Sequence, residues 1–227
     1  MKRTTPFLRA VLTIAGKDLR AELRSRQLIS AIGLFALLAT MVFYYTLESR
    51  PDVRVAALPA VLWVIIVFAG TLGLNRSLAQ EFDRGSLDGL LLAPIDRSAL
   101  FFGKLISTWL FSVAVAGLVS LAVSILFNVG LNLPAWTLVI VLGTLGFSAV
   151  GTFLGSMAIY ARGRETTLPI LILPVALPII AAAVSASNAI LADLPFADWS
   201  IWLMVLASVD AIFLVLALLL FDFVVEE

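Results

Sequence analysis

The sequence predicts an all-α, polytopic membrane protein with six transmembrane helices and an N-terminal interfacial amphipathic helix. Three observations carry that prediction. Of 227 residues, 62% are hydrophobic and 13% charged, with a mean hydropathy of +1.10, whereas soluble domains run near 25% charged. The apolar residues gather in blocks long enough to cross about 30 Å of hydrocarbon. Lys and Arg fall almost wholly on alternate connections between those blocks. Transmembrane β-strands would be about ten residues long with strict alternation, and the blocks show neither.

Residues 1–26 come first. Phe7, Leu8, Val11, Leu12, Ala15, Leu19 and Leu23 recur at helical spacing. Arg9, Lys17, Asp18, Arg20, Glu22, Arg24 and Arg26 are expected largely on the remaining surface, which describes a helix lying in the membrane interface. A basic topology signal with incidental amphipathicity is the plainer alternative. The first apolar block starts near Gln27, too far in for a secretory signal and without its cleavage pattern, so it is expected to be retained.

Six spans follow: Gln27 to Thr46, Val55 to Asn75, Phe101 to Phe127, Pro134 to Ala161, Thr167 to Leu191 and Trp199 to Phe221. All Lys and Arg except Arg50 and Arg54 lie on one side of this arrangement. Both termini are therefore expected in the cytoplasm, with the connections at 47–54, 128–133 and 192–198 outside. Trp63, Trp136, Trp199 and Trp202 sit near span ends, and Trp109 less clearly so, as interfacial anchors would.

Residues 76–100 form the longest internal polar stretch and mix both signs of charge. Glu81-Phe82-Asp83-Arg84 reads as a helix end, Gly85 can take a positive φ, and Ser86 can cap a short helix through Leu87, Leu90 and Leu91 that Pro94 stops. Leucines outside the bilayer need a cover. It is either this chain's own spans or a groove on a partner that accepts a helix.

Inside the membrane three features stand out. Gly143, Gly146, Gly151 and Gly155 line the fourth span, and the Gly151 to Gly155 spacing forms a small-residue face for close helix approach. Pro169, Pro174 and Pro178 remove backbone donors from the fifth, so that helix is expected to kink and to border protein or a cavity. The kink either is purely structural, moves during transport or lines a path. Asp210 lies mid-span in the sixth, where a charge costs about 2.5–3.5 kcal/mol, so it must be neutral, paired or wet. No Lys or Arg shares its depth.

Composition also excludes functions. There is no Cys and no His, which removes disulfides, thiolate metal sites, Ser-His catalysis and haem ligation by His. No catalytic residue or metal site is expected. The spans hold no pair of acids for an intramembrane protease, and Gly103-Lys104-Leu105 fails the P-loop pattern after its lysine. Fifteen basic residues balance fifteen acidic ones, and no nucleic-acid partner is expected. A permease, a channel or a membrane scaffold remains.

The run from Glu81 through Gly85-Ser86-Leu87-Asp88-Gly89-Leu90-Leu91-Leu92-Ala93-Pro94 to Ser98, followed by Gly103-Lys104, resembles the signature of ABC-2 type exporters. Within that superfamily the chain is similar to the cytochrome c maturation protein B (CcmB) family of haem exporter permeases. The similarity rests on Lys17-Asp18-Leu19, Glu22-Leu23-Arg24-Ser25-Arg26, Asn75-Arg76 with Glu81, the Gly89 to Pro94 run and Leu168-Pro169-Ile170-Leu171-Ile172-Leu173-Pro174. It covers essentially the whole chain.

The resemblance implies one permease domain over residues 1–227 in a bacterial cytoplasmic (inner) membrane, two copies of which pair with a separate CcmA-like ATPase. Haem is the handled species, ATP is bound by the partner, and no cofactor is expected on this chain. CcmC-like and CcmE-like proteins complete the assembly, which delivers haem or releases a haem-loaded chaperone at the outer face. Carried over by position, Glu81, Asp83, Arg84, Gly85, Ser86, Leu87, Asp88, Leu90, Leu91 and Pro94 form the ATPase-coupling element, and residues 6–25 the elbow helix. Asp210 matches no family motif. The alternatives are an ABC-2 type permease for a drug, lipid or polysaccharide, and a membrane scaffold that transports nothing.

Overall fold

The computed structural model describes residues 6–83, 96–158 and 164–226, and these are helical apart from short connections. The elements are α1 (Phe7–Arg24), α2 (Arg26–Glu48), α3 (Pro51–Asp83), α4 (Arg97–Phe127), α5 (Leu133–Ala158), α6 (Arg164–Leu191) and α7 (Phe196–Glu226). Six of them are long and apolar enough to cross a membrane, over Arg26–Glu48, Val53–Asn75, Ser98–Phe127, Pro134–Met157, Leu168–Leu191 and Phe196–Leu219. These agree with the six expected spans to within a few residues. The chain is an all-helical, multi-pass membrane protein.

Local chemistry explains several helix ends. Ser25 alone separates α1 from α2, and its Oγ accepts a hydrogen bond from the Leu28 N–H at 3.4 Å, capping α2 as the chain turns. Asp96 caps α4 by accepting from the Ser98 N–H at 3.1 Å. At its far end α4 stops at Asn128 in the left-handed region (φ 52°), a conformation Asn tolerates. α3 does not stop at Asn75, where the apolar block ends, but is helical through Asp83.

α3 and α5 are the most enclosed spans, while α2 and α7 are the least. The main core joins α2 through α7, and Trp63 lies at its centre, 1% exposed. Trp63 Nε1 donates to Ser187 Oγ of α6 at 3.0 Å, and its ring lies over Gly143 of α5, where a Cβ would collide with the indole. One side chain thus fixes three helices. This corrects the interfacial placement expected of Trp63. Trp136 is likewise buried and donates to Ser120 Oγ at 3.1 Å, and Trp109 donates to the Val141 carbonyl at 3.0 Å. Indoles whose N–H finds a partner inside a bundle have no need of the headgroup layer.

Three of the fourth-span glycines act as sockets for side chains. Gly143 takes Trp63, Gly146 takes Asp210, and Gly151 takes Leu74 of α3. The reverse pattern holds at Gly70 of α3, which accepts the ring of Phe147. Gly151 was expected to mediate backbone approach, and what it meets is a leucine side chain.

At one edge of the bundle, Arg54 lies 5.2 Å from the ring centre of Tyr44 and 5.1 Å from that of Phe127, and its Nη2 donates to the Phe127 carbonyl at 3.2 Å. That pins the ends of α2, α3 and α4 together.

Gly143→Ala should lower the thermal midpoint of the detergent-solubilised protein, through a cost of about 1–3 kcal/mol from overpacking against a rigid indole. Gly117→Ala is the control, since a Cβ there meets nothing within 4 Å. Equal midpoints for the two variants would contradict the socket.

Candidate functional site

Two of the sequence motifs, Lys17-Asp18 and Gly103-Lys104, come together in space. α1 docks along the first turns of α4, with Ala10 and Val11 in one buried cluster with Ala99, and Ile14 in another with Leu100, Phe101 and Leu105. The crossing is tight at Gly103, where a Cβ would stand 2.7 Å from Ile14 Cβ and 3.2 Å from the Val11 carbonyl oxygen. One residue on, Lys104 lies largely buried with its Nζ 3.9 Å from Asp18 Oδ2. Lys17 Nζ holds the other carboxylate oxygen at 2.6 Å. Lys17-Asp18 and Gly103-Lys104 are thus two halves of one joint: the glycine permits the approach and the charges fix its register.

This arrangement corrects the expected surface of α1. Asp18 and Glu22, expected on the polar face, are each 7% exposed and turned toward the bundle with Ala10, Val11, Ile14 and Ala15. Part of the expected apolar stripe faces outward instead, with Leu8, Leu12 and Leu23 more than half exposed. α1 is therefore three-sided: a docked face, an exposed leucine face and a basic face. The buried side of α1 was hard to read because Lys104, the group that makes a buried carboxylate tolerable, lies far along the chain.

Of the expected coupling residues, Glu81 and Asp83 lie on the last turn of α3. Arg84, Gly85, Ser86, Leu87, Asp88, Leu90, Leu91 and Pro94 lie outside the described residues, as does the short helix expected there. The flanks of that segment are described: it leaves from α3 and returns at Asp96, at the head of α4, where α1 is docked.

α6 runs as one helix from Arg164 to Leu191 with Pro169, Pro174 and Pro178 inside it. Its buried line is Leu168, Ile172, Ala176, Ile179, Ala183 and Ile190, packed among α3, α5 and α7. Pro174 and Pro178 fall on the exposed side of that line, so the lost backbone donors do not interrupt the packed face.

Asp210 is 3% exposed, seated on Gly146 of α5 beside Ile179 of α6. Neither carboxylate oxygen accepts a hydrogen bond among the described residues. A hydrogen bond from a Ser or Thr of a neighbouring helix, one way to satisfy an acid at this depth, is absent among the described residues. Gly146 is what makes room for the acid, a link that lies in no local pattern.

A leucine at position 210 keeps the branched shape and removes the uncompensated polar atoms. Asp210→Leu is therefore expected to stabilise the solubilised protein by about 1–3 kcal/mol, read as a higher thermal midpoint. A lower midpoint would mean that the carboxyl group is satisfied by a partner.

Comparison with known proteins gives these motifs a common setting. The family model described as "CcmB protein" matches residues 9–225. A heme exporter protein B from Pseudomonas aeruginosa is 31% identical over 163 residues, covering 70% of each chain. One from Rhodobacter capsulatus is 30% identical over 176 residues, covering 75% of this chain and 78% of the relative. One from Haemophilus influenzae is 25% identical over 190 residues, covering 82% and 84%. With the family match running from α1 to the last turns of α7, the chain belongs to the CcmB protein family.

Proposed function

We propose that this chain is the haem-export permease subunit of an ABC-type complex for cytochrome c maturation in a bacterial inner membrane. Residues 1–227 form its single permease domain, and both termini and the 76–100 segment face the cytoplasm. The relatives' name, heme exporter protein B, supplies the substrate class. The observation that carries the mechanical part is the joint of α1 with α4 at Gly103 and Lys104, next to the point where the coupling segment re-enters the bundle.

ATP hydrolysis resides on a separate cytoplasmic ATPase, two copies of which pair with two copies of this chain. Leu87, Leu90 and Leu91 fill the groove of that partner, with Asp83, Arg84 and Asp88 at its rim. A displacement of the segment is handed to α4 and, through the Asp18–Lys104 contact and the Ile14–Gly103 crossing, to α1 at the same time. The permease follows the ATPase only as far as this contact differs in energy between the two nucleotide states. The consequence at the outer face is delivery of haem or release of a haem-loaded chaperone, with CcmC-like and CcmE-like proteins taking part. With no His in the chain, any axial imidazole on the haem belongs to a partner.

Leu90→Glu places a charge in the proposed groove and should reduce recovery of the ATPase with the tagged permease at least about tenfold, the scale of an interface residue worth more than 1.4 kcal/mol. Unchanged recovery contradicts the coupling assignment and favours a scaffold.

A further inference from the structure

The outward surface of α1 carries two parallel lines of side chains. Leu8, Leu12 and Leu23 form one, and Arg9, Thr13, Arg20 and Arg24 the other, with Arg9, Thr13 and Arg24 each one residue beyond a leucine and so about 100° from it around the helix. Leu8 is 71% and Leu12 67% exposed, while Arg9, Thr13, Arg20 and Arg24 are exposed beside them. The third side of the helix is occupied by the dock onto α4, so both lines are left for something outside this chain. Along the basic line runs an open groove of about 810 Å³ lined by Thr13, Gly16, Lys17, Arg20, Arg24 and Ser25, with Leu12 at its apolar rim. Among the described residues, neither Arg20 nor Arg24 has an ion-pair partner.

We propose that this groove is a binding site for the phosphate of an anionic phospholipid, whose acyl chains lie against the adjacent leucines. Three features favour a lipid. Its two halves match the two lines: the guanidinium groups of Arg20 and Arg24 can hold phosphodiester oxygens in bidentate fashion, and the leucines are what an interfacial helix buries beneath the headgroups. The groove has room for a whole headgroup. An acidic surface of a soluble protein would satisfy the arginines and leave Leu8, Leu12 and Leu23 uncovered. Ser25 closes the groove at the turn into α2, which puts the phosphate level with the start of the first span. Because α1 is locked to α4, a lipid held there is attached to the element that returns from the coupling segment.

The test uses the purified full-length chain and native mass spectrometry, titrated with phosphatidylglycerol or phosphatidylcholine. Two variants are compared. Arg20→Gln with Arg24→Gln removes the charge, and Gly16→Leu fills the groove floor, where a Cβ meets nothing within 4 Å, while leaving every charge in place. Wild type is expected to retain phosphatidylglycerol at least about tenfold more tightly than phosphatidylcholine, with the preference lost in the double variant, on the scale of about 1 kcal/mol per basic residue at an anionic surface. Gly16→Leu should lose most of the preference as well. Equal retention of the two lipids by wild type overturns the proposal, as does an undiminished preference in Gly16→Leu, which means diffuse charge attraction without a site. Displacement of the lipid by millimolar inorganic phosphate overturns it in favour of a soluble anion. Phosphatidylglycerol retention unchanged in the double variant but ATPase recovery lost would give the groove to the protein partner.

Discussion

Lipid tails are as apolar as leucine, so helices of this chain gain little by hiding apolar side chains from their surroundings, and shape has to hold the bundle. The glycine sockets supply that shape. Trp63 in Gly143, Asp210 on Gly146, Leu74 in Gly151 and Phe147 in Gly70 each let a large or polar side chain penetrate the next helix. The same device operates at the bundle's edge, where Gly103 lets α1 lie directly on α4. Removing the glycines would separate α3 from α5, α5 from α7, and α1 from α4. The polar links at these crossings, such as Trp63 to Ser187, then add direction to contacts that shape has already made close.

This dependence has a mechanical meaning. A bundle whose helices interlock through discrete sockets moves as a few rigid pieces, because interlocked packing has discrete arrangements and resists gradual sliding. α1 and α4 form one such piece, fixed by Ile14 over Gly103 and by Asp18 beside Lys104. α4 reaches from that joint to Phe127, whose carbonyl and ring hold Arg54 at the opposite end. A push at the head of α4 therefore has a continuous route to the far edge of the bundle. Asp210 lies off that route, among α5, α6 and α7.

What was legible in the sequence follows from what is local. The six spans are a matter of length and hydropathy, and they were read to within a few residues. The presence of an amphipathic helix before them was readable from its period, and Asp210 from the cost of an acid at depth. The neighbours of each residue were not. Trp63 was expected in the interface because it lies near a span end, and only the docking of α5 and α6 supplies Gly143 and Ser187 to bury it. Asp18 and Glu22 look like solvated charges until α4 brings Lys104 to that face. The motif pieces Lys17-Asp18 and Gly103-Lys104 were visible separately, but their contact spans most of a hundred residues and left no periodic trace. The residues expected to grip the ATPase, from Arg84 to Pro94, were read from a signature, and the described structure fixes their two flanks.

The measurement that bears most directly on this account is covalent haem staining of c-type cytochromes in cells that lack the gene and have no second maturation pathway. The cells are complemented with the wild-type chain or with Leu90→Glu. The account predicts no stained cytochromes without the gene, restoration by wild type, and failure of Leu90→Glu to restore them at equal membrane abundance. Normal staining in the uncomplemented cells would contradict the haem-export reading and assign the permease another substrate.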